Sequence, residues 1–243
     1  LADITPENLY EQYKKLLETS EIHFYVYGNI SVDQVKNFFE EKFEKEEILP
    51  EKVERTKKAI IPFDEEKNIV EKMNVIQGKL VLGYDLDMLI GAETFYKVLV
   101  YNAILGSSAT SKLFQNVREK ASLAYTIRSI YVKQKGIFLI SAGIETDKYD
   151  KVLELTKKQV QDMKDGNFSY EDIKDAKTFL ENLFLSCLDD QTTLIELNMG
   201  QFITGIDDSI EEMVEKINNV SKEDIIEAAN KAKLKTTYYL TNL

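Results

Sequence analysis

Between Ser111 and Ser129 the chain reads SKLFQNVREKASLAYTIRS, and its hydrophobic period switches from helical to two within that stretch. Leu113, Phe114, Val117 and Ala121 recur at helical spacing and predict one apolar helix face. Ser111 stands where its hydroxyl can accept a bond from a free N–H of the first turn. Beyond Ala121, Leu123, Tyr125, Ile127 and Tyr131 fall on one side of a predicted strand. Arg118 then lies on the border of the helix face, Glu119 points away from it, and Tyr125 begins the strand. A tight helix-to-strand turn could aim a guanidinium and a phenol at one point. Two such donors suit a carbonyl or carboxylate that carries or develops negative charge. Both residues also have an ordinary reading, an arginine that snorkels to solvent and a tyrosine that packs its ring.

The rest of the chain supplies alternating helices and strands. Thr5 to Thr19 reads as a helix capped by Thr5, with Pro6 at its first position and Leu9, Tyr13, Leu16 and Leu17 inward. Ile22 to Tyr27 reads as a strand and Val32 to Phe43 as a second helix. Glu44 to Asn68 is dense in Glu and Lys and contains Pro50 and Pro62, so a charged linker is expected there, placed at 46–68. Ile69 to Ile76 and Lys79 to Tyr84 predict adjacent strands around Gln77-Gly78. Gly91 to Leu105 predicts a helix with Ala92, Phe95, Leu99 and Ala103 inward, and a turn near Gln134 to Gly136 predicts a hairpin into Ile137 to Ile144. Helices follow over 147–164, 170–188, 192–203, 209–218 and 222–231, with a last strand over 236–240.

Composition excludes several classes of function. The 243 residues include 31 Lys and Arg against 42 Asp and Glu, a net charge of −11, which is the wrong sign for a nucleic-acid surface. No apolar run approaches the roughly 20 residues that span a bilayer. The single cysteine, Cys187, forbids an intrachain disulfide and shares a helical stripe with Ile173, Ala176, Leu180, Leu183 and Phe184, as an inert buried thiol would. With no signal-peptide pattern in LADITPENLY, a reducing, cytoplasmic setting is expected. Asn-x-Ser triplets at Asn29, Asn167 and Asn219 each precede a Ser that opens a helix, so capping accounts for them. Asp207-Asp208 reads as a cap and dipole partner for the helix it precedes. The loop Gly106 to Lys112, GSSATSK, lacks the second glycine of a phosphate loop.

A capped helix leading to an aromatic strand occurs twice, first from Ile4 to Tyr27 and again from Val220 to Leu240. Such a repeat suggests a duplicated domain, with 1–45 the tail of one copy and 69–243 a complete second copy. The string from Asn102 to Tyr131, NAILGSSATSKLFQNVREKASLAYTIRSIY, resembles the second-domain signature of the pitrilysin-type zinc peptidases. That family includes pitrilysin, insulin-degrading enzyme, the mitochondrial processing peptidase and many bacterial processing-protease-like proteins. The matching residues are Asn102, Leu105, Gly106, Ser111, Leu113, Phe114, Arg118, Glu119, Lys120, Leu123, Ala124 and Tyr125.

The resemblance implies an α+β fold: a two-layer α/β sandwich of the processing-peptidase type, antiparallel-rich, with helices on one sheet face. It implies that Arg118 and Tyr125 are catalytic and substrate-binding residues reaching toward a peptide backbone. It also implies zinc in the full-length enzyme, held by an inverted H-x-x-E-H helix in the first domain. This chain has one histidine, His23, and no H-x-x-E-H, so no metal ligand is assigned here. The expected partners are a peptide or small unfolded polypeptide and either a missing N-terminal domain or a homologous subunit. A dimer is compatible; nucleic acid and membrane are not expected. Three readings stay open: the C-terminal portion of a zinc endopeptidase, a non-catalytic subunit of the same family, and an unrelated peptide-binding module.

Overall fold

The computed structural model describes residues 3–20, 22–42, 65–86 and 92–243, the side chains of Ala92, Glu93, Gln134 and Thr204 excepted. The chain divides into two units, Leu1–Ala59 and Ile60–Leu243. Most of the expected 46–68 linker lies outside the described residues. Its last two residues, Lys67 and Asn68, instead open a strand, pairing with Thr236 and Thr237. Charged side chains do not bar a segment from the edge of a sheet, where they face water.

In the first unit, helix α1 (Pro6–Thr19) starts at the predicted cap. The Thr5 side chain accepts from the Asn8 N–H at 3.3 Å, and the Asn8 side chain accepts from the Thr5 N–H at 2.9 Å. Helix α2 (Val32–Lys42) uses Ser31 and Gln34 in the same reciprocal way. Leu9, Tyr13, Leu16 and Leu17, expected inward, are exposed, as are Phe24 and Val26. Ile22 to Tyr27 carries no strand pairing among the described residues, although its composition suits a strand. An apolar stripe or strand is defined only by what packs on it, and no second layer covers these groups within the described unit.

The second unit holds a five-stranded sheet in the order β1-β5-β2-β4-β3. Its strands are β1 (Lys67–Lys72), β2 (Gly78–Leu86), β3 (Ala124–Val132), β4 (Ile137–Ile144) and β5 (Ala232–Thr241). β1 runs parallel to β5, and every other pairing is antiparallel. The predicted β3–β4 hairpin is present, turned at Gly136 with φ +61°, a conformation only glycine adopts without strain. The expected adjacency of β1 and β2 is not: β5 lies between them. The cause is burial. β1 is exposed along its whole length, which fits an edge, whereas β5 buries Ala232, Thr237 and Tyr239.

Helices α3 (Ala92–Asn102), α4 (Tyr149–Lys164), α5 (Tyr170–Ser186), α6 (Gln191–Thr204), α7 (Ile210–Asn219) and α8 (Lys222–Lys231) complete the unit. The core joins Leu80, Leu82, Tyr84 and Leu86 of β2 and Phe138, Ile140 and Ile144 of β4 to Tyr101, Met163, Ile217 and Ile225 of the helices. Each such buried side chain contributes about 1.5–3 kcal/mol by leaving water. Residues on the other side of the strands, such as Lys79, Val81, Thr126, Arg128 and Ser141, are exposed or half-buried. The result is the expected two-layer, antiparallel-rich sandwich with helices on one face.

Local chemistry fixes the helix ends and ties. Ser169 and Ser221 cap α5 and α8, as the Asn-x-Ser triplets suggested. Ser209, not Asp207 or Asp208, caps α7. Asp208 instead accepts from the Tyr96 hydroxyl at 2.6 Å and from Lys216 of α7 itself. Lys97 links α3 to α8 by ion pairs to Asp224 at 2.7 Å and Glu227 at 3.0 Å. Burial pushes the Asp224 carboxyl upward, but its bonds to Lys97 and Ser221 outweigh that and hold it at about 2. Cys187 is buried and donates to the Leu183 carbonyl at 3.3 Å, while burial raises its thiol above the ordinary range. Leu183, assigned to the same stripe, is exposed instead.

Candidate functional site

Signature residues fall into two groups, those that build a scaffold and those that line a cleft. α3 does not continue as a regular helix to Leu105. It widens at Ala103–Ser107 into a π turn. Its Gly106 lies so near β3 that an added Cβ would sit 2.6 Å from Ser129 Oγ, 2.7 Å from Leu113 Cδ1 and 2.8 Å from the Ser129 backbone nitrogen. Asn102 fixes the same junction, its side-chain oxygen accepting from Ser129 Oγ at 2.6 Å in the interior. Leu105 and Leu113 are fully buried. Ser111 does not cap with its hydroxyl. Its carbonyl accepts from Gln115 at 2.9 Å, and its Oγ is buried with no hydrogen-bond partner among the described residues.

The predicted signature helix is itself a π-helix over Phe114–Lys120. Wide i→i+5 turns are uncommon and recur at functional sites. The altered pitch buries Val117 but leaves Ala121, expected on the apolar face, exposed. Arg118 lies over the Phe114 ring with its guanidinium carbon 4.6 Å from the centroid. Its Nε is 3.7 Å from Glu119, an exposed pair of the sort that contributes about 0–1 kcal/mol.

The chain leaves this helix through Ser122, whose φ of +53° is unusual for a residue with a side chain. The Ser122 and Leu123 N–H groups return to the Arg118 and Val117 carbonyls at 3.1 and 3.0 Å. β3 then begins with an irregularity: Ala124 pairs with Ile144 and Thr126 with Gly143, so Tyr125 is an extra, unpaired residue. A bulge of this kind re-aims a side chain. Tyr125 shares the alternation of buried Ile127, yet it is 55% exposed. Its hydroxyl donates to Glu145 Oε1 at 3.2 Å.

Arg118 and Tyr125 line the same cleft of about 430 Å³, together with Glu119, Ser122, Leu123, Ala124, Glu145 and Lys148. Glu145 follows the end of β4 and also takes the Lys148 ammonium at 3.0 Å. The Lys148 bond foremost, and the Tyr125 bond after it, hold the Glu145 carboxyl below its usual range, while Glu145 raises Lys148. Glu145 and Lys148 were not singled out from sequence. They lie 20 residues and more beyond Tyr125 in a charged turn with no distinctive spacing, and only the β3–β4 pairing brings them in. The cleft thus offers a phenol donor held by a carboxylate, a guanidinium with one weak partner, and a lysine. Such a set can hold and polarise a carbonyl oxygen, and its two carboxylates, Glu119 and Glu145, are fewer than the three ligands a zinc centre takes from the protein. Among the described residues no three His, Cys, Asp or Glu side chains could hold a metal ion, and His23 is exposed in the first unit. The described residues therefore do not fit a zinc centre.

Comparisons with known proteins place the chain in a family and identify its fold. A family profile described as "Peptidase M16 inactive domain" matches residues 3–180. Over 240 residues the chain is 34% identical to the "Probable inactive metalloprotease YmfF" of Bacillus subtilis (strain 168), covering 98% of the chain and 55% of that protein. It is 27% identical over 241 residues to an "Uncharacterized zinc protease" of Rickettsia felis, covering 95% of the chain and 55% of that relative. Both relatives are thus nearly twice as long as the segment they share with this chain. A conserved protein from Enterococcus faecalis V583 has the same fold, with a TM-score of 0.86 at 24% identity over 100% of this chain and 57% of its own. With its signature, its sandwich and a profile match over most of its length, the chain belongs to the M16 peptidase family, in the class of its inactive domains.

Proposed function

We propose that this chain is the substrate-facing, metal-free portion of an M16-type endopeptidase, in which Tyr125 and Arg118 hold the peptide backbone. The observation that carries the reading is the convergence of both side chains on one cleft, through a π-helix on one side and a bulge on the other. The Tyr125 hydroxyl would leave Glu145 and donate to the scissile carbonyl oxygen as negative charge develops there. Arg118 would hold a neighbouring carbonyl or the terminal carboxylate of the peptide. The zinc site and the general base would belong to another domain or to a homologous subunit. The buried, unpaired Cys187 suits a reducing, cytoplasmic compartment.

A second reading, a non-catalytic partner subunit, draws on the word "inactive" in the name of the B. subtilis relative. Peptide cleavage by the full-length protein separates the two. On the enzyme reading, chelation abolishes cleavage, and Tyr125→Phe lowers turnover by about 10²–10³ without loss of folding. Arg118→Ala weakens binding and turnover. Chelator-insensitive or absent cleavage supports the subunit reading, and unchanged turnover in both variants refutes the assigned roles.

A further inference from the structure

A second cleft, of about 450 Å³, opens on the sheet face opposite the helices and is lined by Gln77, Lys79, Thr126, Arg128, Ser141 and Gly143, among others. Register defines its shape. Leu240, Lys79, Gly143 and Thr126 form one row across β5, β2, β4 and β3, and Val81, Ser141 and Arg128 form the next. The middle of both rows on β4 is small, a glycine and a serine, while long cations stand on either side. Lys79 and Arg128 are two strands and two residues apart, a Cα separation of roughly 12 Å from strand spacing and rise. Their extended side chains can reach one group lying over the small floor.

The floor is kept small by its surroundings. A Cβ on Gly143 would meet Gln77 Nε2 and Thr126 Oγ1, each at 2.9 Å. Gln77 and Thr126 therefore lean over the glycine and add neutral hydrogen-bonding groups to the trough.

Charge decides the occupant. Lys79 and Arg128 are exposed, and among the described residues neither has an ion pair or side-chain hydrogen bond. No carboxylate lines the trough, although the chain carries a net charge of −11. Glu71 shares the Lys79 row two strands away but is engaged by the Tyr238 hydroxyl at 2.7 Å. Two free cations over a neutral floor match carboxylate side chains, and an open sheet face matches an extended chain.

We propose that this trough is a subsite for acidic side chains of a bound peptide. It rests on the reading of Tyr125 as a backbone-holding residue only for its position along the peptide. Arg128 is three residues from Tyr125, about 10 Å of strand, so the acidic residue would lie about three positions from the one at Tyr125.

The test is fluorescence anisotropy of the full-length protein with labelled nine-residue peptides identical except for two Glu, two Gln or two Lys. Two exposed ion pairs predict about tenfold tighter binding of the Glu peptide than the Gln peptide at low salt, fading at high salt. Lys79→Gln with Arg128→Gln should erase the preference, and Lys79→Glu with Arg128→Glu should turn it toward the Lys peptide. Tyr125→Phe should leave the preference intact, which keeps this result separable from the catalytic assignment. Equal binding of the Glu and Gln peptides, a preference that survives the double Gln variant, or no binding of any peptide would overturn the proposal.

Discussion

Gly106→Ala tests the packing that sets the cleft, because two physical effects predict opposite signs. Gly106 lies in a helical turn, where alanine is intrinsically favoured by about 0.8–1.0 kcal/mol. On propensity alone the variant gains stability. The structure says otherwise, since the new methyl would stand 2.6 to 2.8 Å from Ser129 Oγ, Leu113 Cδ1 and the Ser129 backbone nitrogen. A leucine methyl could rotate, but the strand nitrogen cannot move without the β3–β4 ladder. Overpacking of a filled core costs about 1–3 kcal/mol, and a backbone neighbour argues for the upper end. The net expectation is a loss of about 2 kcal/mol. Urea unfolding followed by circular dichroism should show a lower midpoint at an unchanged slope. Adding Ser129→Ala would recover only part of the loss, because the backbone contact remains and the bond to Asn102 is gone. Equal or greater stability of Gly106→Ala would refute the claim that the helix and β3 touch here through the glycine.

Three further outcomes follow from individual groups. Asp224 is held at about 2 against an unfolded value near 3.9, so its contribution is complete above about pH 4 and is lost as pH falls through the folded value. The shift corresponds to roughly 2 kcal/mol, so Asp224→Asn should lower stability at pH 7 by that order and flatten the decline between pH 4 and 2 in acid titrations. Tyr101 is fully buried and its hydroxyl has no hydrogen-bond partner among the described residues, so Tyr101→Phe should be neutral or stabilising by up to about 1 kcal/mol in thermal melts. A clear destabilisation would mean that the hydroxyl has a partner. Ser122→Gly should relieve the left-handed turn and stabilise by about 0.5–1 kcal/mol after the entropy cost of glycine, measured the same way.

What could be seen in the sequence was what depends on near neighbours. Thr5, Ser31, Ser169 and Ser221 cap as expected because a capping box is closed within four residues. The β3–β4 hairpin was visible because its turn is short. Strand order was not visible, because β1 and β2 are neighbours in sequence yet both pair with β5, which lies far along the chain. The stripe of Leu9, Tyr13 and Leu16 was read as inward and is exposed, because periodicity does not name the surface that would cover it. At the cleft, Arg118 and Tyr125 were singled out by the switch from helix to strand and by their match to the family signature, whereas the reason Tyr125 points outward was not visible. Alternation placed it beside Ile127, and an extra residue in one strand leaves no trace in composition. Glu145 joins only through strand pairing, a contact between residues 20 apart.

The position of β5 also constrains the order in which this protein can be assembled. Among the described strands of the second unit β1 is synthesised first, yet its pairing partner is the last of them to appear, with Lys67 opposite Thr236. Until then the three strands β2, β4 and β3 can pair alone, but β2 has a bare edge and β1 has nothing to join. Closure over so long a separation is slow compared with local pairing. A chain whose synthesis had not yet reached Ala232 would thus expose one edge of β2, and truncation before that residue would cost the sheet two strands, β1 as well as β5.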